Sequence, residues 1–269
     1  MRRCLYLYLL SFLAFSLGLI SAQAVTKSQR DPQALALAQQ GLQALVGTMN
    51  LSDATLQGTA NFTAGSDEES GSFTLEFKGD LESKSVLNLG GGQREEIRNA
   101  QSGSPQGVWV GIDGQRHPLA QHNLLVPAAP LFPALVLAEA LNDPSIQLAY
   151  VGQEMKGDVV VQHVQLWQTI PTGLASDAAI KLFEHMTTVD VYLAAANSLP
   201  VALDFNTHPD NNEKLDIPVE IQYSDYQKTN GLLLPARVQK FFNGSLQLDL
   251  SIVGVAVNSG ISDSEFNTQ

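Results

Sequence analysis

The sequence predicts a mainly β (α+β) fold built on an antiparallel meander. Three observations lead there. Most of the chain alternates apolar and polar residues with period two. The alternating runs are punctuated by Asn-Gly and Asp-Gly pairs, which favour tight hairpins. Only three stretches carry helical spacing. A sheet of this kind has one apolar and one wet face, and the apolar face must be covered.

The chain opens with an address. Arg2 and Arg3 precede an apolar run ending at Ile20, then Ala22-Gln23-Ala24. A basic start, a short apolar stretch and an A-x-A site make a secretory signal peptide. The alternative is a membrane anchor, but the run is short for a span of about 20 residues. The expected domains are a leader at 1–24, cleaved after Ala24, and one domain at 25–269. Cleavage removes Cys4, the only cysteine. Without it the chain has no disulfide, thiol chemistry or Cys metal site.

The first helix begins at Asp31-Pro32, a cap followed by a proline at the first helical position. Leu35, Ala38, Leu42 and Leu45 follow at helical spacing, and Gly47 can end it. A second helix covers 135–141 after Pro127, Pro130 and Pro133. A third starts at Ser176-Asp177 and carries Ile180, Phe183 and Met186. Strands are read around Leu56 to Phe62, Phe73 to Phe77, Val108 to Ile112, 146–151 and 159–167. The last third alternates most clearly: Val189 to Leu193, Val201 to Phe205, Ile217 to Tyr223, Leu232 to Val238 and Leu246 to Ile252. Asn230-Gly231 and Asn243-Gly244 join the last three. About ten strands result. The Gly/Ser-rich stretches 64–72 and 90–107 read as loops.

Composition narrows the function. The 269 residues carry a net charge of −12, with 44% hydrophobic and 16% charged residues. That is too apolar for a disordered chain. The acidity argues against nucleic acid and anionic membrane surfaces, which need Lys/Arg patches.

No motif names a reaction. His117 and His122 near Asp113 could hold a metal or simply be solvated. His208, Asp210, Glu213 and Asp216 form an acidic loop, open to calcium or to water alone. His163 reads as structural. No G-x-S-x-G is present, and Gly90-Gly91-Gly92 starts no dinucleotide fingerprint. Glu95 and Glu96 are adjacent on a strand and face opposite ways, so they cannot pair as acid and base. No enzyme, cofactor or metal is therefore predicted. Trp109 and Trp167 fit either a core or a ligand site.

The C-terminal third carries a recognisable pattern. It reads Leu199-Pro200, Tyr223-Ser-Asp-Tyr226, Asn230-Gly231-Leu-Leu-Leu-Pro235, Gln239-Lys-Phe-Phe-Asn243-Gly244, then Asn258-Ser-Gly-Ile261 before Phe266. It resembles the closing strands of the LolA/LolB-like superfamily, especially exported members of the outer-membrane lipoprotein-sorting type. The resemblance implies a strongly curved sheet, an unclosed half-barrel around about three helices, with an apolar concave face suited to acyl chains. The early-strand Arg of the lipoprotein carriers is missing, since no Arg lies between Arg30 and Arg94. The fold and binding style carry over, and no functional residue does.

Coverage then predicts a cavity. Ten strands at ~4.8 Å make a sheet roughly 48 Å wide, and three helices cover only about 30 Å. The candidate lining is Phe62, Phe73, Leu75, Phe77, Ile221, Tyr223, Val238 and Leu248, each on the apolar phase of its strand. The expected protein is periplasmic or secreted and binds a lipid or other apolar ligand. The alternative is an envelope sensor that binds a partner protein without catalysis.

Overall fold

The computed structural model describes residues 30–269 except Asp80, Gln101, Ser102 and Thr172. The leader and its cleavage site after Ala24 lie outside the described residues.

Helix α1 (Pro32–Val46) starts where the sequence places it. The Asp31 carboxylate accepts from the backbone N–H of Gln33 at 2.7 Å and of Ala34 at 3.2 Å, satisfying donors that the first turn leaves free. Helix α2 (Pro133–Asn142) packs against α1 at Gly41. A Cβ there would lie 3.1 Å from Leu137 and 3.2 Å from Leu193, so a larger residue would push these side chains apart by a few tenths of an ångström. Arg30 ties the start of α1 to the end of α2. It donates to the carbonyls of Ala140 at 2.6 Å and Asp143 at 3.2 Å, where a helix end lacks partners and favours a cation.

Among the described residues thirteen strands form one antiparallel sheet. They are β1 (Asp53–Ala64), β2 (Asp67–Lys78), β3 (Glu82–Leu89), β4 (Gly92–Asn99), β5 (Gln106–Val110) and β6 (Arg116–Pro118), then β7 (Ile146–Lys156), β8 (Val159–Gln168), β9 (Val189–Ala194), β10 (Pro200–Thr207), β11 (Ile217–Thr229), β12 (Leu232–Phe242) and β13 (Ser245–Val257). The spatial order is β6-β5-β4-β3-β2-β1-β13-β12-β11-β10-β9-β8-β7. The chain walks from β1 out to one edge at β6, crosses back to the other edge at β7, then returns strand by strand to β1. The edges do not pair, so the sheet is an unclosed half-barrel. The crossing, residues 119–142, brings α2 onto the concave face.

Curvature has local causes. Register shifts interrupt the pairing at Gln57/Gly58 and Lys240/Phe241, and such bulges bend a strand. At Gly58 a Cβ would sit 1.9 Å from the Ser251 carbonyl oxygen, so only glycine fits the bend. The hairpins at Asn230-Gly231 and Asn243-Gly244 form as read, with left-handed Asn230 (φ 52°) and Asn243 (φ 49°).

Two expectations are corrected. There are thirteen strands where the sequence suggests about ten, and 64–72 and 90–107 are largely strand. The start of β2 projects beyond the core, while β3 and β4 carry polar residues on both faces, so neither shows simple alternation. His117 belongs to β6.

The core lies between the concave face and helices α1 and α2, with Leu45, Leu56, Leu75, Leu137, Leu203 and Ile221 almost fully buried. Phe77 of β2 stacks on Phe132, just before α2, with ring centroids 5.9 Å apart. Helix α3 (Asp177–Thr187) adds none of its residues to this cluster; Ile180, Phe183 and Met186 are only half-buried. Helices α1 and α2 supply the helical side of this core. On the convex face, Phe266 of the C-terminal segment covers Ile97 and Val108.

Candidate ligand-binding cavity

Between the sheet and the crossing segment lies a cavity of about 520 Å³. That falls within the roughly 300–1,000 Å³ typical of small-molecule sites. One wall comes from β1 to β5, the other from β10 to β13, and residues 119–131 form the roof.

Five of the eight sequence candidates meet there: Phe62, Leu75, Phe77, Ile221 and Leu248. Phe73, Tyr223 and Val238 share the concave face but are packed into the core. Phe73 fills the space beside Gly58. The Tyr223 hydroxyl donates to the Pro130 carbonyl, and burial raises the phenol well above its ordinary pKa. Leu87, Leu131, Phe205 and Phe242 extend the apolar lining. Trp109 also lines it, 41% exposed and stacked on His117 at 4.2 Å.

The remaining wall is charged. Register places Ser85 opposite Glu96 and Leu87 opposite Arg94. Since Leu87 and Ser85 continue the apolar phase of β2 through Phe73 and Leu75, the even-numbered residues of β4 face inward. Arg94 sits over the Phe62 ring at 4.9 Å and donates to Glu69 at 2.6 Å. This bond, with that from Gly91 N, holds the Glu69 carboxyl below its usual range. Arg98 donates to Glu96 at 2.8 Å.

From the opposite wall comes Lys240. It pairs with Ile221 of β11 and Leu248 of β13, on the apolar phase that Leu234 and Val238 also occupy. Burial lowers its pKa; Glu96 opposes this and Arg98 adds to it. Burial works to raise Glu96, but Arg98 and Lys240 outweigh it and keep the carboxyl low. Lys240 is not among the residues that alternation selects, although a lysine in the apolar phase of a strand is a readable signal.

The histidines fall differently from expectation. His117 and His122 part company: one stacks on Trp109, the other faces His208, with ring centroids 5.9 Å apart. His208 is 3% exposed and not solvated. Its Nδ1 donates to the Leu215 carbonyl at 3.3 Å and lies 3.6 Å from Asp216, which also pairs with His185 at 2.8 Å. Among the described residues no group of three or more His, Cys, Asp and Glu is arranged to hold a metal. No helix among them is long and apolar enough to cross a membrane.

No protein-family model and no curated protein matches the chain. Solved structures do share its fold. One is a domain from Vibrio parahaemolyticus described as outer membrane lipoprotein-sorting, with 10% identity, TM-score 0.56, and coverage of 87% of this chain and 96% of that one. Another is a DUF1329 family protein from Desulfovibrio piger, with 11% identity, TM-score 0.51 and coverage of 87% and 96%. A LolA superfamily protein from Nitrosomonas europaea aligns at 11% identity and TM-score 0.49, over 87% and 97%. At such identities the likeness is one of fold: this chain shares the unclosed half-barrel of the first two.

Proposed function

We propose that this chain is an exported envelope protein, periplasmic or secreted, that binds a lipid or other apolar ligand in the concave face of its sheet and acts as a carrier. The observation that carries the reading is the 520 Å³ cavity, walled by Phe62, Leu75, Phe77, Ile221 and Leu248. The leader read at 1–24 supports export, and the fold shared with a lipoprotein-sorting domain supports binding. The reading assigns no catalytic step and no cofactor.

The test is lipid extraction of the purified protein with mass spectrometry, followed by fluorescent fatty-acid titration. Ser85→Phe adds bulk to the cavity wall and should weaken binding while the fold survives. A protein that carries no lipid and binds none saturably across several lipid classes would remove the reading.

One observation keeps the envelope-sensor alternative: Val151 and Met155 on edge strand β7 are 55% and 58% exposed. An open edge with apolar side chains can receive a partner's strand. Charged substitutions at both positions would abolish such an interaction and leave lipid binding intact.

A further inference from the structure

The cations around the cavity differ in one respect. Arg94 is bonded to Glu69, and Arg98 to Glu96. Lys84 lies 3.2 Å from Glu265 and 3.8 Å from Glu95. Among the described residues Lys240 has neither a carboxylate at ion-pair distance nor a hydrogen-bond partner.

Lys240 is also placed where a lysine is costly. Its cross-strand neighbours are Ile221 and Leu248, so its stem lies on apolar surface while the ammonium reaches the cavity. A cation among apolar side chains with no carboxylate beside it lacks the pairing that would offset such a setting. Glu96 offsets part of that cost at longer range, but its carboxylate is already engaged by Arg98. Together Glu96, Arg98 and Lys240 carry one net positive charge at the polar end of an apolar cavity.

From this geometry we infer that Lys240 anchors the head group of an anionic single-chain amphiphile, a long-chain carboxylate, with the chain lying along Phe62, Leu75, Phe77 and Phe205. The inference rests on the lipid-binding reading and names the class of lipid. One negative charge balances the trio; a doubly charged phosphate monoester overshoots it. Size agrees. If a methylene occupies about the ~30 Å³ of a liquid water molecule, the cavity holds on the order of seventeen such groups, one chain rather than several. A ligand with this head and tail uses both kinds of wall.

The test compares palmitate with hexadecanol, which has the same chain and an uncharged head, each below its aggregation concentration. Both are titrated against the unmutated protein, Lys240→Met and Lys240→Arg. The unmutated protein should prefer palmitate by at least about tenfold, the scale of one charge-assisted hydrogen bond. Lys240→Met should lose the preference and keep hexadecanol binding; Lys240→Arg should retain it. Equal binding of both ligands by the unmutated protein overturns the inference and leaves lipid binding standing. So does a palmitate preference that survives Lys240→Met. Failure of both ligands to bind overturns the inference and counts against the lipid-binding reading too. The comparison within the unmutated protein decides the matter even if a variant fails to fold.

Discussion

Asn123 and His208 hydrogen-bond each other in both directions. Asn123 Nδ2 donates to the His208 carbonyl at 2.8 Å, and His208 N donates to Asn123 Oδ1 at 2.9 Å. Thr207 Oγ1 adds a third bond to the same Oδ1 at 2.7 Å. The Asn123 carbonyl meanwhile accepts from Arg98 at 3.3 Å. One side chain thus pins the cavity roof to the end of β10, and its backbone touches the charged wall.

Asn123→Ala removes all three side-chain bonds. We expect a loss of about 1–3 kcal/mol, the cost of leaving partly buried groups unpaired, measured by denaturant titration. Amide exchange should speed up in residues 119–131 more than in β11 or β12. Uniform acceleration across the sheet would show that Asn123 supports the whole fold and not the roof.

Buried His208 and partly buried His163 should shape stability against pH in opposite senses. Burial lowers the His208 pKa; the Leu215 carbonyl and Asp216 act against this, and His122 and His185 reinforce it. Its unfolded form titrates near ~6.5. The folded state therefore binds fewer protons just below that pH, and stability falls as pH drops through this window. His163 lies between Asp190 at 2.8 Å and Glu154 at 2.7 Å. Burial would lower its pKa, but the carboxylates outweigh it and raise it. Its contribution is complete below ~6.5 and is lost as pH rises through the folded value. His208→Gln should flatten the acid limb and His163→Gln the neutral-to-basic limb. Denaturant midpoints across pH 5 to 9 check both.

Asp53 holds the C-terminal segment to the start of β1. Its carboxylate accepts from Ser259 N at 2.7 Å, Ser259 Oγ at 2.9 Å and Gly260 N at 3.1 Å. Burial alone would raise its pKa, but these bonds and one from Ser52 lower it. The stabilisation is present above the unfolded value near ~3.9 and is lost as pH falls through the lower folded one. Asp53→Ala should cost about 1–3 kcal/mol and open residues 258–269 to proteolysis, uncovering Ile97 and Val108. A variant as resistant as the unmutated chain would place the anchor elsewhere.

Where local chemistry and tertiary contacts agree, the sequence could be read directly. Asp31-Pro32 caps α1, the Asn-Gly pairs turn the late hairpins, and alternation in β11 to β13 matches a sheet with one buried face. Reading failed where tertiary structure changes what a face meets. In β4, Arg94, Glu96 and Arg98 face a cavity, while Ile97 is apolar because the C-terminal segment covers it; neither partner is local. Tyr223 and Val238 have the same phase as Ile221, yet only Ile221 reaches the cavity, because no periodicity says where the crossing segment lies. Alternation leaves out Lys240 for the converse reason. An alternation search collects apolar residues, and the polar exception in a clean apolar phase marks the site.

Glu96 should compete with an anionic ligand for the same charges. It bonds Arg98 at 2.8 Å and lowers the cost of burying Lys240. Glu96→Gln removes one negative charge and little volume. Arg98 and Lys240 then repel each other with no carboxylate to offset them, and the trio's net charge rises from one to two. The empty protein should become less stable for that reason. Palmitate, whose carboxylate restores the lost negative charge, should bind more tightly than it does to the unmutated protein, while hexadecanol should change little. Palmitate should also restore stability: a ligand at a hundred times its Kd stabilises by about 2.7 kcal/mol, and the variant should show the larger rise in Tm at equal palmitate. If Glu96→Gln weakens palmitate binding instead, Glu96 orients the cations for the ligand and does not compete with it.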